Sequence, residues 1–253
     1  MSDPLYFDDP YAREFDASVT RVLDDPARLV LDRTGFYPTG GGQPADRGVL
    51  RTAEHAWRVT DVEKTDTIYH HVELVDTDDG DGKDEDNGGH PAPATGTGVT
   101  GELDWDRRYA HMRYHTAQHL LSALLLDEYN APTTGNQLYA DRARIDVGYD
   151  RFEEADLGAT EARMNDLVSE GRPVTWYEMD RETAEEELDR ERTRLDLLPD
   201  SITDVRIVEI DGYDRTACAG THVETTEEIG EVSITGRETR GKDGERLRFV
   251  LDF

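Results

Sequence analysis

Between residues 15 and 74 the apolar positions fall in short runs, 17–23, 27–31, 48–50, 57–62 and 67–74, separated by turn-forming residues. In the last run Ile68, His70, Val72 and Leu74 occupy alternate positions, the period that turns one face of a strand inward. Runs this short and this frequently broken predict antiparallel strands, so the first third of the chain reads as a β-barrel-like domain. One more strand-like run covers 98–103, and then the period changes. Across RRYAHMRYHTAQHLLSALLLDEY, Met112, His115, His119, Leu120, Ala123 and Leu124 recur at helical spacing, which predicts an amphipathic helix with one inward face. A second helix is expected over 154–170, ended by Gly171 and Pro173, followed by a strand at 174–179 and a charged helical stretch at 181–194. Further strands are expected at 205–210, 232–235 and 247–253. The fold class is α+β: an N-terminal barrel-like domain, 1–103, then an α+β domain, 104–253.

Composition modifies this picture in three places. The stretch 76–98, DTDDGDGKDEDNGGHPAPATGTG, has almost nothing to bury and reads as a solvated loop without the ligand pattern of an EF-hand. Acidic residues outnumber basic ones 57 to 28, a formal charge of −29 spread along the whole chain, and only Lys64, Lys83 and Lys242 are lysines. Such a surface repels itself at ordinary ionic strength, whereas molar salt shortens the screening length to about 3 Å, so a halophilic cytoplasm is expected. The charge also excludes a generic nucleic-acid binder; any RNA contact must be local. A single cysteine, Cys218, forbids an intrachain disulfide and fits a reducing compartment. With no apolar leader and no window near the roughly 20 apolar residues that span a bilayer, a soluble, cytoplasmic protein is expected.

The chemistry concentrates in three motifs. In HTAQH, His115 and His119 stand at i and i+4, which on a helix brings their Cβ atoms to about 5–6 Å and lets both rings reach one ion. HMRYH gives His111 and His115 the same spacing, so spacing alone leaves the choice of pair open. A hundred residues later CAGTH offers Cys218 and His222. For a lone cysteine the ordinary reading is a small buried hydrophobe; joined to the histidine pair it completes a three-nitrogen, one-thiolate set suited to tetrahedral zinc, although copper or nickel would accept the same ligands. No glutamate follows the first histidine as it does in HExxH proteases, and the nearest polar neighbours are Thr116 and Gln118. The third motif, TGFYPTGGGQPADRG, is either a tight turn between strands or a ligand-approaching loop, with Gly41 and Gly42 free to take positive φ and Gln43 offering an amide.

These ordered motifs, with DWDRRYAHMRYHTAQHLLSALL and VRIVEIDGYDRTACAGTHVETTEEIGEVSI around the metal residues, resemble the editing portion of alanyl-tRNA synthetase and its free-standing AlaX relatives, the medium-length type in particular. One departure is Ala219, where the family often has glycine. The resemblance implies an editing domain similar to that of threonyl- and alanyl-tRNA synthetases, a Zn2+ site at His115, His119, Cys218 and His222, and substrate contacts from Gly41, Gly42, Gln43, Thr116 and Gln118. It implies an ATP-independent aminoacyl-tRNA hydrolase serving translation fidelity, which removes serine or glycine from tRNA(Ala). Fewer than 40 residues precede the glycine motif, so the chain is expected to edit without charging tRNA. Arg107, Arg108 and Arg113 beside the histidine helix, and Arg237, Arg240, Lys242, Arg246 and Arg248 near the end, are the expected phosphate contacts. No stable protein partner and no membrane are expected. The rival readings are a zinc-containing tRNA-binding module without hydrolase activity, a small-molecule metallo-amidase or esterase, and editing of another tRNA.

Overall fold

The computed structural model describes residues 2–24, 27–75, 92–190, 192–193, 195, 198–199, 202–241 and 244–252. The acidic segment 76–91, Arg194 and the expected phosphate contact Lys242 lie outside the described residues. The fold is α+β, with a six-stranded closed barrel, and divides into two units, 1–39 with 44–108 and 40–43 with 109–253.

The first unit contains β1 (Asp3–Pro4), β2 (Glu14–Asp24), β3 (Ala27–Leu31), β4 (Arg33–Thr34), β5 (Gly48–Arg51), β6 (Ala56–Lys64), β7 (Ile68–Leu74) and β8 (Gly98–Leu103). The barrel closes in the order β2-β3-β7-β6-β5-β8, while β1 and β4 pair separately in parallel. Its interior is filled by the alternate residues of each strand, among them Val19, Leu29, Leu31, Leu50, Val59, Val62, Ile68, Val72 and Val99. Among the buried residues described is a polar one, His70, with Nε2 2.8 Å from Thr34 Oγ1 and Nδ1 3.1 Å from the Leu29 carbonyl. Burial depresses His70 to about 4, so it sits in the barrel as a neutral imidazole with both nitrogens satisfied.

The second unit is built on α1 (Trp105–Tyr129), whose first turn belongs to the first unit. The sequence predicts an amphipathic helix, but α1 is buried on every side from Ala110 to Leu126. Several of its polar residues find internal partners: Arg113 Nε donates to the carbonyl of Glu228 at 2.7 Å, and Tyr114 Oη accepts from Leu251 N at 3.1 Å. After it come β9 (Thr133–Leu138), β10 (Ala143–Val147), α2 (Glu154–Ser169), β11 (Val174–Asp180), α3 (Arg181–Glu187), β12 (Asp204–Ile210), β13 (Asp214–Ala217), β14 (Glu231–Thr239) and β15 (Glu245–Asp252). One antiparallel sheet runs β14-β15-β10-β9 and another β11-β12-β13. The charged helix expected to reach 194 stops at Glu187, because Leu188 turns to extended backbone and the chain beyond it supplies no continuous apolar stripe.

Candidate metal centre

Two elements and a turn converge on one point in the second unit. Helix α1 carries His115 and His119 one turn apart, with ring centroids 5.1 Å from each other. The chain leaving β13 carries Cys218 and His222, and its sulfur lies 3.5 Å from His115 Nε2 and 3.4 Å from His222 Nε2. One ligand atom from each of the four residues falls within 4.8 Å of every other. In a tetrahedral site with bonds of 2.3 Å to sulfur and 2.0 Å to nitrogen, the S···N separation is about 3.5 Å, so Cys218, His115 and His222 already stand at ligand spacing. His111, also buried, is not one of the four, which resolves the choice that spacing left open.

The four groups interact strongly with one another electrostatically. Burial works against the Cys218 thiolate, but His115, His119 and His222 together outweigh it and hold the thiol well below its ordinary value. Burial also works against charge on His119, yet Cys218 and Asp214 push that imidazole up to about 9, while burial and neighbouring His115 push His222 well below the ordinary imidazole value. A thiolate, a nitrogen-rich cluster and a compensating carboxylate nearby are what a divalent cation requires.

The groups behind the imidazoles explain the motifs around them. The segment Gly40–Gln43 is a tight turn closed by paired backbone hydrogen bonds, Gly40 N to Gln43 O at 3.0 Å and Gln43 N to Gly40 O at 2.9 Å. Its two central residues, Gly41 and Gly42, have φ of 57° and 86°, and a Cβ on Gly42 would stand 1.6 Å from Asn136 Oδ1. The turn presents Gln43, fully buried, whose Oε1 is 2.8 Å from His115 Nδ1 and accepts from Thr221 N at 3.1 Å, while Nε2 donates to Thr221 Oγ1 at 2.9 Å. Thr116 Oγ1 donates to the Met112 carbonyl and lies 3.2 Å from His222 Nδ1. Gln43 and Thr116, expected as substrate contacts, therefore touch metal-site histidines. Gln118 is buried, with Oε1 unpartnered among the described residues. Gly220 is indispensable for a simpler reason: a Cβ there would lie 2.0 Å from His115 Cε1. Ala219 has no positive φ, so the methyl group that departs from the family pattern is accommodated.

Sequence reasoning missed Asp214, whose Oδ2 is 3.5 Å from His119 Nδ1, and Arg192, which grips that carboxylate. Two of the expected phosphate contacts need correction. Arg108 is 1 % exposed and ion-paired with buried Asp46, and it also donates to the Pro10 and Gly35 carbonyls. Arg113, 3 % exposed, donates to the carbonyls of Glu228, Ile229 and Asp252. Both guanidiniums are consumed inside the protein, where a phosphate cannot reach them. Arg107 is half-buried and donates to the Ala45 carbonyl; Arg240 and Arg248 share Glu238, Arg237 pairs with Glu245, and Arg246 pairs with Asp146.

Comparison with known proteins places this geometry in a family. Residues 10–83 match the family described as tRNA synthetases class II (A), and residues 205–248 match the threonyl and alanyl tRNA synthetase second additional domain. Over 253 residues the chain is 41% identical to the alanyl-tRNA editing protein AlaX-M of Methanosarcina barkeri, covering 99% of each. The chain belongs to the AlaX family of alanyl-tRNA editing proteins. Alignment to AlaX-L of Pyrococcus horikoshii, at 36% identity, takes in the whole chain and 59% of that relative. An alanine--tRNA ligase from Thermococcus kodakarensis is 38% identical over 97% of the chain, which corresponds to 25% of the ligase. The AlaX alignment spans both halves of the metal centre, whereas α1, with its two histidines, falls outside both family-domain matches.

Proposed function

We propose that this chain is a trans-editing hydrolase that deacylates mischarged tRNA(Ala), removing serine or glycine, at a zinc ion held by His115, His119, Cys218 and His222. The observation that carries the reading is the four-ligand centre in a chain that aligns end to end with alanyl-tRNA editing proteins. The donor set fits zinc: three imidazole nitrogens and a thiolate, with the sulfur at tetrahedral separation from two of the nitrogens. When bound, the ion supplies a Lewis acid that orients and polarises the aminoacyl group. The reaction adds water across the ester, giving the free amino acid and tRNA with its terminal hydroxyl restored. Gln43 and Thr116 keep two of the histidines in place, so a reacting ester meets a preorganised site. Arg240, exposed on β14's continuation, remains a candidate phosphate contact in exchange for Glu238.

One observation favours a second reading. Four protein ligands make a closed shell, the usual mark of a structural ion, which would leave a tRNA-binding module without hydrolase activity. Deacylation of Ser-, Gly- and Ala-tRNA(Ala) side by side by the purified chain separates the two. Editing predicts release of serine or glycine with Ala-tRNA(Ala) spared; no release from any of the three contradicts it.

A further inference from the structure

The three imidazoles of the centre are backed by chemically different groups. His115 has the neutral amide of Gln43 behind Nδ1, and His222 has the neutral hydroxyl of Thr116. Behind His119 Nδ1 stands a carboxylate, Asp214 Oδ2, at 3.5 Å, an ion-pair contact, and that buried nitrogen has no hydrogen-bond partner among the described residues. Asp214 is itself buried, and burying a lone carboxylate is costly unless a cation and hydrogen bonds compensate it. Arg192 supplies both: Nε donates to Oδ1 at 2.9 Å and Nη2 to Oδ2 at 2.6 Å, a two-pronged grip on the carboxylate. The third nitrogen of Arg192 donates to Ser122 Oγ at 2.5 Å, and Ser122 lies one turn beyond His119 on α1. The chain of contacts therefore begins and ends on the helix that carries the histidine.

We propose that Asp214 and Arg192 are positioning residues that orient His119 and so set the affinity and geometry of the metal centre. This rests on the metal-binding reading of the site. An imidazole that ligates an ion through Nε2 keeps one proton, on Nδ1; a carboxylate behind Nδ1 favours that tautomer and ring orientation. Arg192 adds a second constraint. By engaging both oxygens of Asp214 it keeps the carboxylate behind the histidine, and Asp214 does not join the ligand cluster although it is a competent oxygen donor. The local chain delivers this arrangement because alternation along β13 and past its end points Asp214, Thr216 and Cys218 the same way, so one short segment provides both a ligand and the support of another.

The test compares the full wild-type chain with Asp214→Asn, Asp214→Glu and Arg192→Lys. The readouts are zinc affinity by chelator competition, the visible absorption spectrum of the cobalt-substituted protein, and kcat and KM on Ser-tRNA(Ala). Asp214→Asn is expected to weaken zinc binding by about 10–100-fold, shift the cobalt bands and lower kcat more than it raises KM. Asp214→Glu restores part of each loss. Unchanged zinc affinity together with an unchanged cobalt spectrum in Asp214→Asn overturns the inference. If that variant does not fold, Arg192→Lys carries the test, since lysine keeps the charge but cannot fork across both oxygens. A several-fold loss of zinc affinity then supports the inference, and wild-type affinity overturns it. A wild-type chain that binds neither metal overturns the metal reading and the inference together, whereas normal wild-type binding beside an indifferent variant overturns the inference alone.

Discussion

At Gly220 the space beside the metal site is closed to even one methyl group, because a Cβ would stand 2.0 Å from His115 Cε1 and 2.9 Å from Gln43 Oε1. Gly220→Ala must therefore displace His115, and a ligand moved by about 1 Å is enough to cost roughly 10²-fold in rate. Metal content and deacylation rate of this variant should both fall, while Ala219→Gly, at a position with ordinary backbone, should leave both unchanged. The cluster of His115, His119, Cys218 and His222 was legible because HTAQH and CAGTH were read together and with the family resemblance; spacing alone left His111 as an alternative. The roles of Gln43 and Thr116 were not, since a sequence shows which residues are polar but not which histidine nitrogen they face. Asp214 was missed because an aspartate beside a turn reads as solvent-facing; only the alternation to Cys218 hints otherwise.

At the scale of elements, the strands of the barrel and the long helix were readable because their apolar periods are strong, and 27–31 and 98–103 match β3 and β8 in extent. Five strands were not: β1 and β4 are two residues each, too short for any period to show. β9 reads TTGNQL and β13 reads DRTA, too polar to announce themselves, and β10 has only Ala143, Ile145 and Val147 turned inward. β9 and β13 lie at sheet edges, and β10, though central in its sheet, is only five residues long, so hydrophobic pattern was a weak signal for all three. Arg108 and Arg113, both within α1, failed for the converse reason: a charged residue on a helix reads as surface until a buried partner is found opposite, Asp46 for Arg108 and backbone carbonyls for Arg113. Arg108→Ala leaves Asp46 buried and unpaired, so it should destabilise the protein by about 3–5 kcal/mol, measured by chemical denaturation. The salt dependence of tRNA binding should be unchanged in any folded fraction, because Arg108 meets no phosphate.

For the whole molecule, stability should depend on pH through His70 and on salt through net charge. The folded-state value of His70 lies at about 4, below the ordinary 6.5, so the unfolded chain takes up this proton first as pH falls. Its contribution is fully present above pH 6.5 and is lost between 6.5 and 4, amounting to about 3 kcal/mol. Denaturation curves at both ends of that window should show a smaller acid loss in His70→Asn than in the wild type; equal losses would remove the assignment. We also predict, from the charge of −29, that the unfolding midpoint rises from low to molar potassium chloride, and an unchanged midpoint would dismiss adaptation to salt. Metal dependence tests the central claim most directly. After chelation, the rate of Ser-tRNA(Ala) deacylation should be followed as zinc is returned, with circular dichroism recorded at each addition. The account predicts a rate that climbs from near zero and saturates at one equivalent, with the fold already present before saturation. A chelated, folded chain that deacylates Ser-tRNA(Ala) as fast as the zinc-loaded one would contradict it.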